Sequence, residues 1–387
     1  MRLQLVAGAF AGVLGGLLGF ARTAHADGSL TERDVYYKER STRVIQPMLD
    51  GIFDAGERGL ITAHFLVDAI TSASAGSGAA NGVAFTERRY EAGGGYTHEL
   101  DGPRGSWVDK IRVGGDAKYS TESDYTSLYG GVRAEADVAQ KNATLGLGIG
   151  YSDDHSDNAG AQGPMGGPPL VCDSAKPTVT ASNCPVDTLV FNASASQILS
   201  RNAVAAVTYD LERVTGFQSN AYRTVVTESG LLPESHPDER LRQAIAASAR
   251  LFVPTSRTTI IPAYRYYRDD WHIRAQTPEL RIIQEVGDHA DATVRFRYYR
   301  QTASYFYEPR YGVIDTTQVH YITDDPKMSA FDGELMEAKL GIYGSEFDLT
   351  GNWAAARFEG ILSYIVQNNR FGNAAEAQIA FTYPFNY

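Results

Sequence analysis

The feature that most constrains this chain is a strict alternation of apolar and polar side chains, renewed in segment after segment. In residues 125–139, Leu128, Gly130, Val132, Ala134, Ala136 and Val138 share one face. Tyr129, Gly131, Arg133, Glu135 and Asp137 share the other. Side chains two residues apart point the same way only in a β-strand, so this is a strand with one oily and one wet face. It is also long, since strands of soluble proteins average about five or six residues. Residues 375–387 repeat the pattern. Ala375, Ala377, Ile379, Phe381, Tyr383, Phe385 and Tyr387 fall on one side, and Glu376, Gln378, Thr382 and Asn386 on the other.

Read along its length, the chain yields fifteen such segments. They cover residues 34–53, 60–70, 85–98, 107–119, 125–139, 144–151, 188–199, 203–211, 241–253, 258–270, 273–286, 293–305, 331–343, 353–366 and 375–387. A break near Ser41 in the first would make sixteen, and residues 27–34 read as a polar lead-in. Connections near 54–59, 140–142, 200–202, 254–257, 287–288 and 344–351 are short. Those at 71–84, 152–187, 215–240 and 306–330 are long. Short turns on one side and long loops on the other are expected of an all-β, closed antiparallel transmembrane barrel with about 14–16 strands. The short turns would then be periplasmic and the long loops extracellular.

Composition agrees. The chain has 23 Tyr and 38 Gly, aromatics at 11%, and a slightly negative mean hydropathy. Interface aromatics combined with a polar lumen give such a middling average. A formal charge of −11 argues against nucleic acid as a partner. Residues 1–26 read as a signal peptide: Arg2, an apolar stretch broken by glycines, then Ala24-His25-Ala26. Residues 27–387 form one expected domain, with no later apolar run long enough for a membrane helix. In an exported chain Cys172 and Cys184 are expected to form a disulfide rather than a metal site.

Two resemblances add to this. The aromatic end, Phe381, Tyr383, Phe385 and Tyr387, resembles the closing strand of bacterial outer-membrane barrels. That resemblance implies outer-membrane lipid as surroundings and the barrel-assembly machinery as the reader of these residues. The runs VYYKERSTRVIQPMLDG, HFLVDAITSAS and YITDDPKMSAFDGELMEAKLGIYG resemble a bacterial family of unknown function, numbered 3570 among such domains. The family implies a Gram-negative outer-membrane barrel and brings no catalytic residues or cofactor.

The polar face of the strands would line the lumen. It carries a basic arc of Arg242, Arg250, Arg265, Arg295 and Arg297, with Tyr267 and Tyr299 among them. Acids are expected elsewhere, at Glu135, Asp210 and Glu359. A basic arc facing acidic walls would set a transverse field across a pore. The alternative is that these charges pair and fill the interior. Gly146, Gly148 and Gly150, followed by Asn192, Ser194 and Ser196, would form a wall of small residues. The loop 152–187 is the one expected to fold inward.

Candidate chemistry is sparse. Asp153, Asp154 and Asp157 could offer carboxylates to Ca²⁺, although such a run is usually a solvated acidic loop. The cluster Glu234, His236, Asp238 and Glu239 has the same standing. His64 and Asp68 share a face but lie too far apart along a strand to hydrogen-bond. The sequence therefore points to a porin-like channel for small hydrophilic solutes, without a cofactor. A non-conducting docking barrel of an envelope complex, for example in electron transfer, is one alternative. A rim-sited hydrolase using His64 is the other.

Overall fold

The computed structural model describes residues 27–40, 42–72, 85–157, 170–176, 178–220 and 223–385. Among them, sixteen antiparallel strands close into one barrel. Its first half comprises β1 (Gly28–Lys38), β2 (Thr42–Asp54), β3 (Gly59–Ser72), β4 (Phe85–Asp101), β5 (Val108–Thr121), β6 (Tyr125–Val138), β7 (Ala143–Asp157) and β8 (Asn183–Ser200). After β9 (Ala203–Gly216) the chain leaves the wall to form a hairpin, β10 (Thr224–Thr227) and β11 (Gly230–Pro233). It returns as β12 (Glu239–Val253), β13 (Thr258–Asp269), β14 (Arg274–Val286), β15 (Ala290–Gln301), β16 (Phe331–Tyr343), β17 (Arg357–Gln367) and β18 (Ala374–Phe385). Each wall strand pairs with the next, and β1 pairs with β18 to shut the ring.

Register fixes which face is which. On β6 and β7, Glu135 lies opposite Gly146 and Arg133 opposite Gly148. This row points inward, while Val132 pairs with Ile149 and Ala134 with Leu147 on the outer face. Because cross-strand partners share a face, the assignment carries round the ring, and an even strand number lets β1 and β18 meet antiparallel. The outer face then shows a continuous apolar surface. Leu147, Val132, Leu362 and Ile379 are each more than half exposed. Exposed apolar surface of that extent needs an apolar covering, which a bilayer supplies. Outward rings sit at two levels: Tyr36, Tyr90, Tyr119 and Tyr364 toward the long loops, and Phe53, Tyr96, Phe358 and Tyr383 toward the short turns. No described helix is long and apolar enough to cross a membrane.

The connections sort as the sequence suggests, with four exceptions. On the long-loop side, 39–41, 122–124, 270–273 and 368–373 are short. Three sequence expectations need correction. Residues 28–34 are part of β1 and not a lead-in. Their outward row includes Glu32 and Asp34, acids that break the apolar signature of that face. Residues 352–355 form a single helical turn, so β17 starts at Arg357. The indole of Trp353 in that turn packs 4.8 Å from the Tyr383 ring and 6.0 Å from Phe381. Last, Asp153, Asp154 and Asp157 belong to β7 and not to a loop.

Candidate functional site

The lumen is built from the inward half of every strand. All eight lumen residues expected from the sequence face it: Arg242, Arg250, Arg265, Arg295, Arg297, Glu135, Asp210 and Glu359. Most are paired. Arg242 reaches Glu212 at 2.5 Å, and Asp210 accepts from the Asn192 amide at 2.5 Å. Glu135 accepts from Arg112, whose guanidinium also grips Asp137 at 2.7 and 2.8 Å. Glu359 binds Lys339 at 2.5 Å and Arg357 at 2.9 Å.

The acids are not confined to other walls, which corrects the expectation of a segregated basic arc. Glu279 on β14 sits within it, accepting from Arg295 and Arg297 at 2.9 Å and from Arg281 at 3.1 Å. Glu337 holds the other side of Arg295 at 3.3 Å. Strand β14 alternates Thr277, Glu279, Arg281 and Ile283 inward, so one acid among several arginines follows from its register. Arg250 and Arg265 differ from the rest. Neither has an acidic partner among the described residues, and the Arg265 guanidinium leans toward the Tyr267 ring, 5.7 Å from its centre. Arg265 lines a cavity of about 640 Å³ with Glu279, Arg297 and Tyr299, beside the small side chains Ala206, Ala246, Ser248 and Ala263.

The glycine wall on β7 is only partly open. A Cβ at Gly150 would lie 2.5 Å from the Tyr129 hydroxyl, and one at Gly146 would lie 2.5 Å from the Ser194 hydroxyl. Gly150 therefore makes room for Tyr129, which lies across the wall, whereas a Cβ at Gly148 would make only ordinary contacts, at 3.7–3.9 Å, with Val132, Arg133 and Asn192.

The mouth on the long-loop side is more elaborate. A cavity of about 460 Å³ is lined by Glu87, Glu122, Asp124 and Asp154, and by Glu212 beside Arg240 and Arg242. Loop residues Phe217, Gln218, Ser219 and Asn220 and Met328 complete it. The roofing segments are thus 217–238 and 302–330. Loop 152–187, expected to fold inward, is largely strand at its ends, and residues 158–169 lie outside those described. Its residues 170–185 are stapled by the Cys172–Cys184 disulfide, as expected.

The two roofing loops are locked together by a buried charge cluster. Arg223 approaches Glu234, Asp324 and Asp325 at 3.6, 3.7 and 3.5 Å. One Glu234 oxygen also takes the Thr323 hydroxyl, and the other accepts the Asn220 N–H at 2.9 Å. His236 places Nε2 3.3 Å from Glu234 and Nδ1 2.9 Å from the Gln218 carbonyl. Burial pushes the Glu234 carboxyl upward, but His236, Thr323 and Arg223 outweigh it and hold it below the usual carboxylate range. Trp271 packs edge to face against Phe306 and His236 with ring centres 5.1 Å apart, and His236 and Phe306 meet tilted at 5.2 Å. Backbone bridges Ser235–Ile322 and Thr227–Tyr311 complete the contact. The cluster Glu234–His236 is accordingly a structural lock. Asp238 serves elsewhere, accepting from the backbone and hydroxyl of Ser174 at 2.8 and 2.7 Å.

The other candidates are placed as follows. Asp153 faces outward beside His155, and Asp154 faces inward, accepting from Tyr125 at 2.7 Å, so the two cannot share one ion. A closer carboxylate trio, missed in the sequence, is Glu87, Glu122 and Asp124, whose ligand atoms lie within 4.8 Å of one another. Burial, then Glu87 and Asp124, push the Glu122 carboxyl up to about 7. His64 pairs through Nδ1 with Asp50 at 2.6 Å and faces Glu91 through Nε2 at 3.5 Å. Both ring nitrogens are directed at carboxylates, and neither at a serine hydroxyl.

Against known proteins, the model of a family described as "Protein of unknown function (DUF3570)" matches residues 20–343. The chain belongs to this family. No curated protein matches it. Among solved structures, this DUF3570 barrel is similar to a bacterial polysaccharide outer membrane secretin, with a TM-score of 0.51 and 9% identity. That match covers 94% of this chain and 100% of the other. OprD from Pseudomonas aeruginosa has a TM-score of 0.43 at 9% identity, covering 93% and 94% of the two chains. A BenF-like porin from Pseudomonas fluorescens Pf-5 has a TM-score of 0.42 at 9% identity, covering 94% and 99%. The DUF3570 chain thus shares its fold with outer-membrane β-barrels.

Proposed function

We propose that this protein is an outer-membrane channel for small hydrophilic solutes, with weak preference for anions. The reading is carried by Arg250 and Arg265, lumen cations without an acidic partner among the described residues, the second beside a cavity of about 640 Å³ with small walls. A cation left unpaired in a watery lumen attracts passing anionic groups. The surrounding pairs, Arg295 with Glu279 and Glu337 above all, hold the other charges as a rigid constriction. Sixteen strands enclose enough width for water. The apolar outer wall meets lipid, and Phe381, Tyr383 and Phe385 on β18 are the residues read at insertion; Tyr387 lies outside the described residues. The proposed signal peptide, residues 1–26, also lies outside them.

Planar-bilayer recording of the purified barrel tests this. We expect discrete conductance steps, and a reversal potential that moves toward cation selectivity in Arg265→Glu. Absence of open current at any voltage would refute the channel. It would favour a docking barrel, to which the locked roof of 217–238 and 302–330 would be suited.

A further inference from the structure

Strand β1 carries two carboxylates on the outside of the barrel. Its inward row is Ser29, Thr31, Arg33 and Val35, confirmed by the lumen contact of the Thr31 and Thr382 hydroxyls at 3.0 Å. Its outward row is therefore Leu30, Glu32, Asp34 and Tyr36. Glu32 lies opposite Phe381 on one side and Leu49 on the other. Asp34 lies opposite Ile379 and Pro47. Both stand at the middle of the strand, between the ring of Tyr36 and the cluster of Leu30, Phe53, Tyr383 and Phe385. Among the described residues neither carboxylate has a hydrogen-bond or ion-pair partner. Acidic side chains on a lipid-facing wall are costly, most of all at mid-depth.

Next to them the wall is hollow. A groove of about 380 Å³ runs over β16, β17, β18 and β1, lined by Leu340, Ile342, Phe358, Ile379 and Phe381 together with Glu32 and Asp34. Its floor is Gly360, where an added Cβ would meet nothing within 4 Å. Four strands at about 4.8 Å spacing give roughly 14 Å of width, enough to seat one helix about 10 Å across.

The acids narrow what can fill this groove. Lipid headgroup amines lie at the membrane interface and not at mid-depth. A second copy of the barrel would need an outward cation at the same height. The outward cations of the described strands, such as Lys38, Arg88, Arg213 and Arg300, all lie near the long-loop ends. Two copies facing each other through this wall would oppose acid to acid. We propose that the groove docks a membrane-embedded helix of a different protein, one with a lysine or arginine within its apolar run, which Glu32 and Asp34 neutralise. Oppositely charged groups meeting in hydrocarbon interact strongly, because no water screens them.

This proposal requires the wall to face lipid but does not require the lumen to conduct. The probe is a leucine–alanine helix of about 20 residues with one central lysine, compared with the same helix lacking it. The purified full-length barrel, carrying a photo-crosslinking residue at Ile379, is inserted into phosphatidylcholine vesicles. Insertion is checked separately by heat-modifiable mobility and protease protection, so a failure of membrane insertion is distinguishable from a failure of docking. We expect about tenfold more adduct with the lysine helix, and loss of that preference in Glu32→Gln/Asp34→Asn. That double variant makes the wall more apolar, so it inserts at least as well. Equal labelling by the two helices, or a lysine preference that survives the double variant, would overturn the proposal. Adducts only between two barrels would overturn it too.

Discussion

Replacing Glu234 by alanine should release the roof over the lumen while leaving the barrel intact. Glu234 accepts the Asn220 N–H at 2.9 Å and the Thr323 hydroxyl, and it faces Arg223 and His236 at 3.6 and 3.3 Å. Hydrogen bonds to a charged group contribute about 1.5–3 kcal/mol each. Breaking a buried charge pair by removing one partner costs about 3–5 kcal/mol. Arg223 keeps Asp324 and Asp325, which places the loss near 4 kcal/mol, or roughly a thousandfold in the opening equilibrium. Native-state hydrogen exchange reads this directly. The reporters are the N–H groups of Glu234, bonded to Arg223 at 3.1 Å, and of Ser235 and Ile322, which bond each other's carbonyls at 3.1 and 2.8 Å. Their protection should fall by about that factor, while amides of β7 keep theirs. Glu234→Gln, whose single amide oxygen can accept from Asn220 or from Thr323 but not from both, should lose less free energy than alanine and more than a variant that kept both bonds. If alanine lowers protection less than threefold, or if β7 opens equally, the lock does not hold the roof as described.

Three further outcomes follow from the geometry. Glu122 is neutral below about pH 7, so its negative charge, and any cation preference it gives the mouth, appears as pH rises through that value. Its raised value means that the stability gained by protonation is complete below the ordinary carboxylate range and lost by about pH 7. Reversal potentials measured from pH 5 to 8 should show the step, and Glu122→Gln should flatten it. Reducing Cys172–Cys184, which are 12 residues apart, should cost about 3 kcal/mol of loop-closure stability, seen as faster proteolysis between them with unchanged barrel mobility. Leu362→Arg, on the outer face and 66% exposed, should lower stability in lipid by about 2–4 kcal/mol, measured by urea titration of the inserted barrel.

The wall was readable from residues alone because alternation is a local property. In Leu145, Leu147, Ile149 and Tyr151 against Gly146, Gly148 and Gly150, a few neighbours suffice to name both faces. Strand β1 shows the limit. Glu32 and Asp34 sit in its outward row, so the same rule that revealed β6 concealed β1. The lumen was legible as a row of charges but not as a set of pairs. Nothing local tells Arg295 that Glu279 is one strand away and Glu337 on the next. The roof was least legible: Thr323 and Glu234 are 89 residues apart, and their contact depends on two loops folding over the same opening. Glu234 and His236 drew notice as metal candidates because a cluster of titratable groups looks alike whether it awaits an ion or an arginine.

The seam where β1 meets β18 also governs how the molecule is made. Thr31 and Thr382, whose hydroxyls touch across it, are 351 residues apart. The first strand to emerge during synthesis therefore waits for the last before it has a neighbour on both sides. Contacts of such span are slow to form, and until then both borders of the sheet offer unsatisfied backbone groups to any other chain. A truncation that removed only β18 would leave two raw edges instead of a slightly smaller ring, so closure of the whole wall hangs on this one strand.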